Sequence, residues 1–231
     1  MIPVTHFVLV HGGWHGSWCW ERLVPELTSR GHRATAVDVA WDDGDLGFTD
    51  HAEALAAECP DEEFVLIGHS LAACLVPLVP FLRPEARAVV LLCGVVPNLQ
   101  GLPWDDAPEI GRPGIYTTFE EPDGSTRWPS RDAAEAAFYA ECSSADVAWA
   151  FSMLTSLNTR SLWDRPYPLQ EWPEVPVAAV AAENDAAVTL AFQRAVLPRR
   201  FGVEPLVVPG DHSPFLSHPA RTAVALETAT S

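Results

Sequence analysis

Three short stretches of this chain carry side chains able to do polar chemistry together. The first is FVLIGHSLAA, where Ser70 lies between Gly68 and Ala72 as an apolar run meets a helical pattern. A serine at so tight a strand-to-helix join needs small residues two before and two after it, because a larger side chain would strike the neighbouring strand or helix. The join lifts Oγ clear of the sheet. It also puts the Leu71 N–H at a helix start, where unpaired donors face developing negative charge. A helix-capping serine is the competing reading. The second stretch is LVHGGWHG, which ends the first apolar run. His-Gly-Gly lets the chain turn beneath a substrate and direct the Gly13 N–H inward. A dinucleotide-binding loop is the rival, but His11 stands where the first glycine of G-x-G-x-x-G belongs, and Asp38 is the nearest acid for a ribose. His11 and His15 are expected to anchor backbone rather than to react.

The third stretch is a pair: AAENDAAV, holding Asp185, and GDHSPFLSHP, holding His212. Each follows an apolar run, so each side chain belongs at the carboxyl edge of a strand. Glu183 is the alternative acid, with Asp185 then a turn former, and His218 the alternative base, although its place before Pro219 suits a helix cap. The chemistry these types support is acyl transfer. A serine hydroxyl becomes a nucleophile when histidine takes its proton and a carboxylate holds the imidazole, and the amides of Gly13 and Leu71 are candidates to receive the oxyanion.

The elements that must position these groups follow from periodicity. Strands are expected at His6–Val10, Ala34–Val39, Phe64–Gly68, Ala88–Cys93, Val177–Ala182 and Glu204–Val208. Helices are expected at Trp18–Arg30, His51–Glu58, about Leu71–Leu82 with Pro77 and Pro80 kinking it, around Leu190–Val196, and Pro219–Ala229. Continuous apolar strands alternating with helices mean a parallel sheet covered on both faces, with an active site at the carboxyl ends of its strands. The alternation breaks between about 97 and 173, where turn signals, a short hairpin (Tyr116–Trp128) and helices near Ser130–Glu141 and Ser144–Leu157 are expected. This stretch reads as a cap inserted into one domain spanning 1–231.

Composition excludes other classes. The chain has 231 residues, a net charge of −17 and no lysine, so Walker A, Schiff-base and lysine-base chemistry are ruled out. Such a surface repels phosphate backbones and anionic lipid, which argues against nucleic-acid and membrane partners. The five cysteines form no C-x-x-C pair, and no apolar run spans a membrane, so reduced thiols in the cytoplasm are expected. Nothing in the sequence calls for a metal or a cofactor, and a monomer and a homodimer fit equally.

FVLVHGGWHGSWCW, GHSLAA, CSSADVAWAFSMLTSL, the Phe-Gln-Arg after Asp185 and GDHSPFL together resemble the plant methyl-esterase and hydroxynitrile-lyase branch of the α/β-hydrolases, nearly end to end. The resemblance implies a core of about six mostly parallel strands and a triad of Ser70, Asp185 and His212. It also favours Asp185 over Glu183, because the family's acid precedes the Phe-Gln pair by the spacing found here. The lyases of this branch carry Thr after the strand-ending histidine and Lys after the catalytic one; Gly12 and Ser213 stand at those places, which favours an esterase. The alanine-rich, lysine-free composition suits a bacterial chain, so the plant substrates are not carried over. The expected substrate is a small, apolar or aromatic ester or lactone. Trp104, Trp128, Trp149, Trp163 and Trp172 lie in the inserted stretch, and the pocket is expected to involve Gly12, Trp128, Trp149, Met153 and Leu154, the last two by resemblance. A lyase or cyclase using the same serine and histidine without acylation, and a receptor that keeps the fold but turns over little, are the alternatives.

Overall fold

The computed structural model describes residues 4–231. Its central sheet has six strands: β1 (His6–Val10), β2 (Arg33–Val37), β3 (Phe64–His69), β4 (Ala86–Leu92), β7 (Val177–Ala182) and β8 (Leu206–Val208). They lie in the order β2-β1-β3-β4-β7-β8, and every neighbouring pair is parallel. The central strands are buried on both faces because their residues alternate between two apolar layers. Val8, Val10, Phe64 and Leu66 pack on one side, and Phe7, Leu9, Val65 and Ile67 on the other. Helices α2 (Phe48–Glu58) and α6 (Leu190–Phe201) contribute to the first layer, α1 (Leu23–Ser29) and α8 (Pro219–Ala229) to the second. No helix among the described residues is long and apolar enough to cross a membrane.

Chain order reverses direction across the sheet between β1 and β3, which pair with Val10 opposite Gly68. Loops leaving two such strands diverge and open a crevice at their carboxyl ends. The Gly12–Gly13 turn and Ser70 both sit there.

Two expected helices are replaced by shorter pieces, in each case because of proline. Ser17–Trp20 forms a 3-10 turn and α1 restarts at Leu23. That restart places Pro25 in a first turn, where its missing N–H costs nothing; a continuous helix would press its ring on the Glu21 carbonyl. Beyond Ser70 the chain runs as two 3-10 stretches, Ser70–Cys74 and Val76–Phe81, instead of one α-helix. Pro77 and Pro80 remove the α-type bonds to Ala73 and Val76, and the backbone tightens. In the opposite direction, α6 extends through Pro198 to Phe201 and ends at Gly202, whose left-handed backbone (φ 69°) closes the helix.

The connection between β4 and β7 carries a two-stranded hairpin, β5 (Phe119–Glu120) with β6 (Thr126–Arg127), and three α-helices, α3 (Arg131–Ala134), which runs on as a π-helical stretch over Glu135–Tyr139, α4 (Ser144–Met153) and α5 (Arg160–Trp163). Ser130 and Ser143 cap α3 and α4 by accepting from the N–H groups of Ala133 and Asp146. Helix α4 stops at Met153, short of the expected Leu157, because Leu154 turns to extended backbone with ψ 138°. The short helix α7 (Pro214–Ser217), unanticipated from periodicity, follows His212.

Candidate active site

Ser70 directly follows the last residue of β3 with φ 52°, a left-handed conformation that a non-glycine residue holds only when its surroundings impose it. The surroundings are tight. A Cβ on Gly68 would lie 2.6 Å from Val76 Cγ2 and 2.7 Å from the Ala72 carbonyl oxygen. The small residues flanking the serine thus have a direct steric cause, and Ala72 is small enough to be wholly buried there. The N–H of Leu71 belongs to the first turn of the Ser70–Cys74 stretch, where backbone donors have no carbonyl within the helix to meet.

Asp185 and His212 meet. The Asp185 Oδ1 accepts from the N–H groups of Ala187 (2.9 Å) and Val188 (2.8 Å), which leaves Oδ2 to accept from His212 Nδ1–H at 2.8 Å. Both side chains are buried, and the carboxylate can only accept, so the imidazole proton is assigned to Nδ1 and the lone pair to Nε2 on the far edge of the ring. His69, the residue before Ser70, donates from Nε2 to the His212 carbonyl at 2.9 Å, with ring centroids 4.7 Å apart. This contact sets the His212 loop beside the strand-to-helix join at Ser70. Among the described residues no hydrogen bond joins Ser70 Oγ to His212; bonds of this kind are often long without substrate. Glu183 is exposed and takes no part, while His218 starts α8 and bonds Ser217 Oγ at 3.1 Å. Asp211, not singled out from the sequence, ties the His212 loop to the long connection by accepting from Glu141 N–H (2.8 Å) and Ser213 N–H (2.9 Å).

Burial keeps the neighbouring histidines neutral. Desolvation pushes His15 down to about 3, and it lowers His69 and His11 as well; the nearby His212 adds to the effect on His69 and His15. Burial raises Asp211 above the usual carboxylate range, against the pull of its backbone donors. As expected, His11 and His15 hold backbone: their Nδ1–H groups donate to the carbonyls of Gly12 (2.9 Å) and Gly13 (2.8 Å).

Ser70, Leu71 and Gly13 line a cavity of about 530 Å³. Trp14, Trp104, Tyr116, Leu157 and Trp163 make its apolar wall, and Glu109 is the one carboxylate among its lining residues.

The family model described as "Alpha/beta hydrolase family" matches residues 7–225. The chain belongs to the alpha/beta hydrolase family. It is 25% identical to norfluorocurarine synthase 1 of a Strychnos species over 96% of this chain and 94% of that one. It is 38% identical to the probable esterase PIR7A of Oryza sativa subsp. indica over 40% of each chain. A crystal structure of polyneuridine aldehyde esterase superposes with a TM-score of 0.82 at 23% identity, covering 99% of this chain and 100% of that one, which is a likeness of fold.

The pocket expected from sequence is placed differently in this alpha/beta hydrolase. Gly12 is not among the residues that line the cavity and presses on Ser70 instead: a Cβ there would be 2.6 Å from Ser70 Cβ. Trp128 is 6% exposed and packs edge-on against Phe138 at 4.8 Å, inside the apolar layer under the connection. Trp149 packs edge-on against Trp18 at 5.2 Å and is not among the residues that line the cavity. Met153, at the end of α4, is 41% exposed, and Leu154 packs with that same layer. The connection lines the cavity from the stretches on either side of α4, residues 104–116 before it and Leu157, Thr159 and Trp163 after it; a Gly13 Cβ would impinge on Leu157 at 2.9 Å. Trp104 and Trp163 from the expected aromatic set do line it. Trp14 lines it too, and its place beside Gly13 in HGGWHG is the sequence signal that points there.

Proposed function

We propose that this chain is a serine hydrolase of small, neutral carboxylic esters or lactones, working through an acyl-enzyme. The observation that carries the reading is the buried Asp185–His212 pair, tied through His69 to the chain at a strained Ser70 that lines an apolar cavity. In the first half-reaction Ser70 Oγ bonds to the ester carbonyl carbon while its proton passes to His212 Nε2. Asp185 holds the ring and offsets the imidazolium charge. The oxyanion is received by the N–H groups of Gly13 and Leu71; one such donor is typically worth about 2.7–4 kcal/mol. The carbon–oxygen bond to the leaving alcohol then breaks, and His212 returns the proton to that alcohol. Water repeats the sequence on the acyl-enzyme, releasing the acid and restoring Ser70.

The connection between β4 and β7 serves as the cap of this site, since its Leu157, Trp104, Tyr116 and Trp163 close the cavity over Ser70. The cavity offers no cation to a substrate carboxylate, and Glu109 at its wall disfavours anions, so neutral esters with an aromatic or aliphatic acyl group are the class that fits. The test is a burst of p-nitrophenol from the butyrate ester, together with labelling by a fluorophosphonate. Both should vanish in Ser70→Ala; turnover surviving that change overturns the reading. A second reading rests on the relative named a synthase, aligned along nearly the whole chain. In that case Ser70 and His212 move protons without acylation, and an active enzyme would resist the fluorophosphonate.

A further inference from the structure

The Gly12–Gly13 turn carries one of the two proposed oxyanion donors, yet paired glycines are the backbone least able to hold a direction by themselves. The direction comes from outside. The Gly12 carbonyl accepts from His11 Nδ1–H (2.9 Å) and from the His15 backbone N–H (3.4 Å), and the Gly13 carbonyl accepts from His15 Nδ1–H (2.8 Å). A trans peptide points its C=O and N–H in opposite directions, and no peptide among the described residues is cis. The first two bonds therefore aim the Gly13 N–H, and the third aims the Trp14 N–H. Both peptide planes flanking Gly13 are locked. Trp14 itself is held at φ 62°, a conformation a tryptophan keeps only under constraint.

The His15 ring is fixed in turn by Tyr139, whose Oη–H donates to Nε2 at 2.7 Å. Tyr139 is fully buried and belongs to the long connection, so one relay of two hydrogen bonds joins that connection to the turn. Because burial holds His15 neutral, its Nδ1 stays a donor and its Nε2 an acceptor throughout the working pH range.

We propose that His15 and Tyr139 are positioning residues for the oxyanion site: by fixing the Gly13–Trp14 peptide, the docking of the connection holds the C-terminal side of Gly13 and so keeps the turn in the shape in which His11 Nδ1–H and the His15 backbone N–H aim the Gly13 N–H. This rests on the serine-hydrolase reading, and Ser70→Ala is carried alongside to test that reading separately. Wild type, Tyr139→Phe, His15→Ala and His15→Asn are compared for kcat, KM, thermal midpoint and the Kd of phenylboronic acid. The boronate adds to Ser70 Oγ as a tetrahedral adduct and so reports the oxyanion donors. Benzoate, which is planar, serves as the control ligand.

Tyr139→Phe is expected to lower kcat severalfold and His15→Ala about 10- to 100-fold, below the loss from deleting a donor outright. KM and benzoate affinity stay within about twofold, while the boronate Kd rises by the factor that kcat/KM falls. His15→Asn, whose side-chain amide can replace Nδ1–H as donor to Gly13, recovers most of the His15→Ala loss. A merely structural role would lower the thermal midpoint and leave kcat and boronate affinity of the folded protein unchanged, and that result overturns the proposal. Should His15→Ala not fold, Tyr139→Phe decides alone by the same two readouts. Turnover persisting in Ser70→Ala overturns the parent reading instead.

Discussion

Acidification should unfold this protein well before its surface carboxylates account for the loss, because neutral histidines are sealed beneath the site. His15 illustrates the size. It is 3% exposed, and its ring is held near a value of about 3 in the folded chain against 6.5 for an unburied ring. Below 6.5 the unfolded chain takes up a proton that the folded chain refuses. Stability is therefore intact above that value and is lost progressively as pH falls towards about 3. At pH about 4.5, roughly two units under the unfolded value, His15 alone removes about 2–3 kcal/mol, a large part of the roughly 5–15 kcal/mol typical of a domain. His69, His11 and His51 are lowered by the same burial and act in the same direction; Asp211, raised by burial, opposes them by taking a proton more readily when folded. The assay is urea unfolding at pH about 7.5 and about 4.5 for wild type and His15→Asn. Asparagine has no proton to gain, and the contributions of the other groups largely cancel in the comparison. The fall in stability between the two pH values should be smaller in the variant by about 2–3 kcal/mol. Equal losses in the two proteins would refute the assignment of His15 as a buried neutral ring.

Three further outcomes follow from the geometry. Asp185→Asn should keep the fold, since the amide oxygen can still accept from Ala187 and Val188, but its NH2 would face His212 Nδ1 and force the ring proton to Nε2. Steady-state assays should find kcat down roughly 10⁴-fold with KM little changed. Gly68→Ala drives a Cβ to 2.7 Å from the Ala72 carbonyl oxygen, a backbone atom that cannot rotate away. Unfolding should then show a loss of about 1–3 kcal/mol alongside lowered activity. Trp163→Ala removes part of the cavity wall, and a series of p-nitrophenyl esters should show kcat/KM shifting about tenfold in favour of longer acyl chains.

What can be read in advance divides along a physical line. Strands β1 and β7 and helix α8 have the bounds expected from sequence because a strand buried on both faces must be an unbroken apolar run, and a terminal amphipathic helix has one face to bury. The meeting of Asp185 with His212 is legible for a related reason: each follows such a strand, and parallel strands deliver their carboxyl ends to one rim. Local steric rules are legible too, since Pro25, Pro77 and Pro80 account for both helices that break into shorter pieces. The cavity wall is not legible. Whether Trp128 or Trp163 faces Ser70 depends on how residues 93–176 pack over the sheet, and that packing has no period to read: Trp128 meets Phe138 and the core, while Leu157, past the end of a helix, meets Gly13. The bond from Tyr139 to His15 belongs to this second kind of information, joining residues 124 apart with no spacing rule between them. A motif can therefore supply the reacting groups from strand ends alone, while the parts that tune and select come from a segment whose contribution only the folded arrangement reveals.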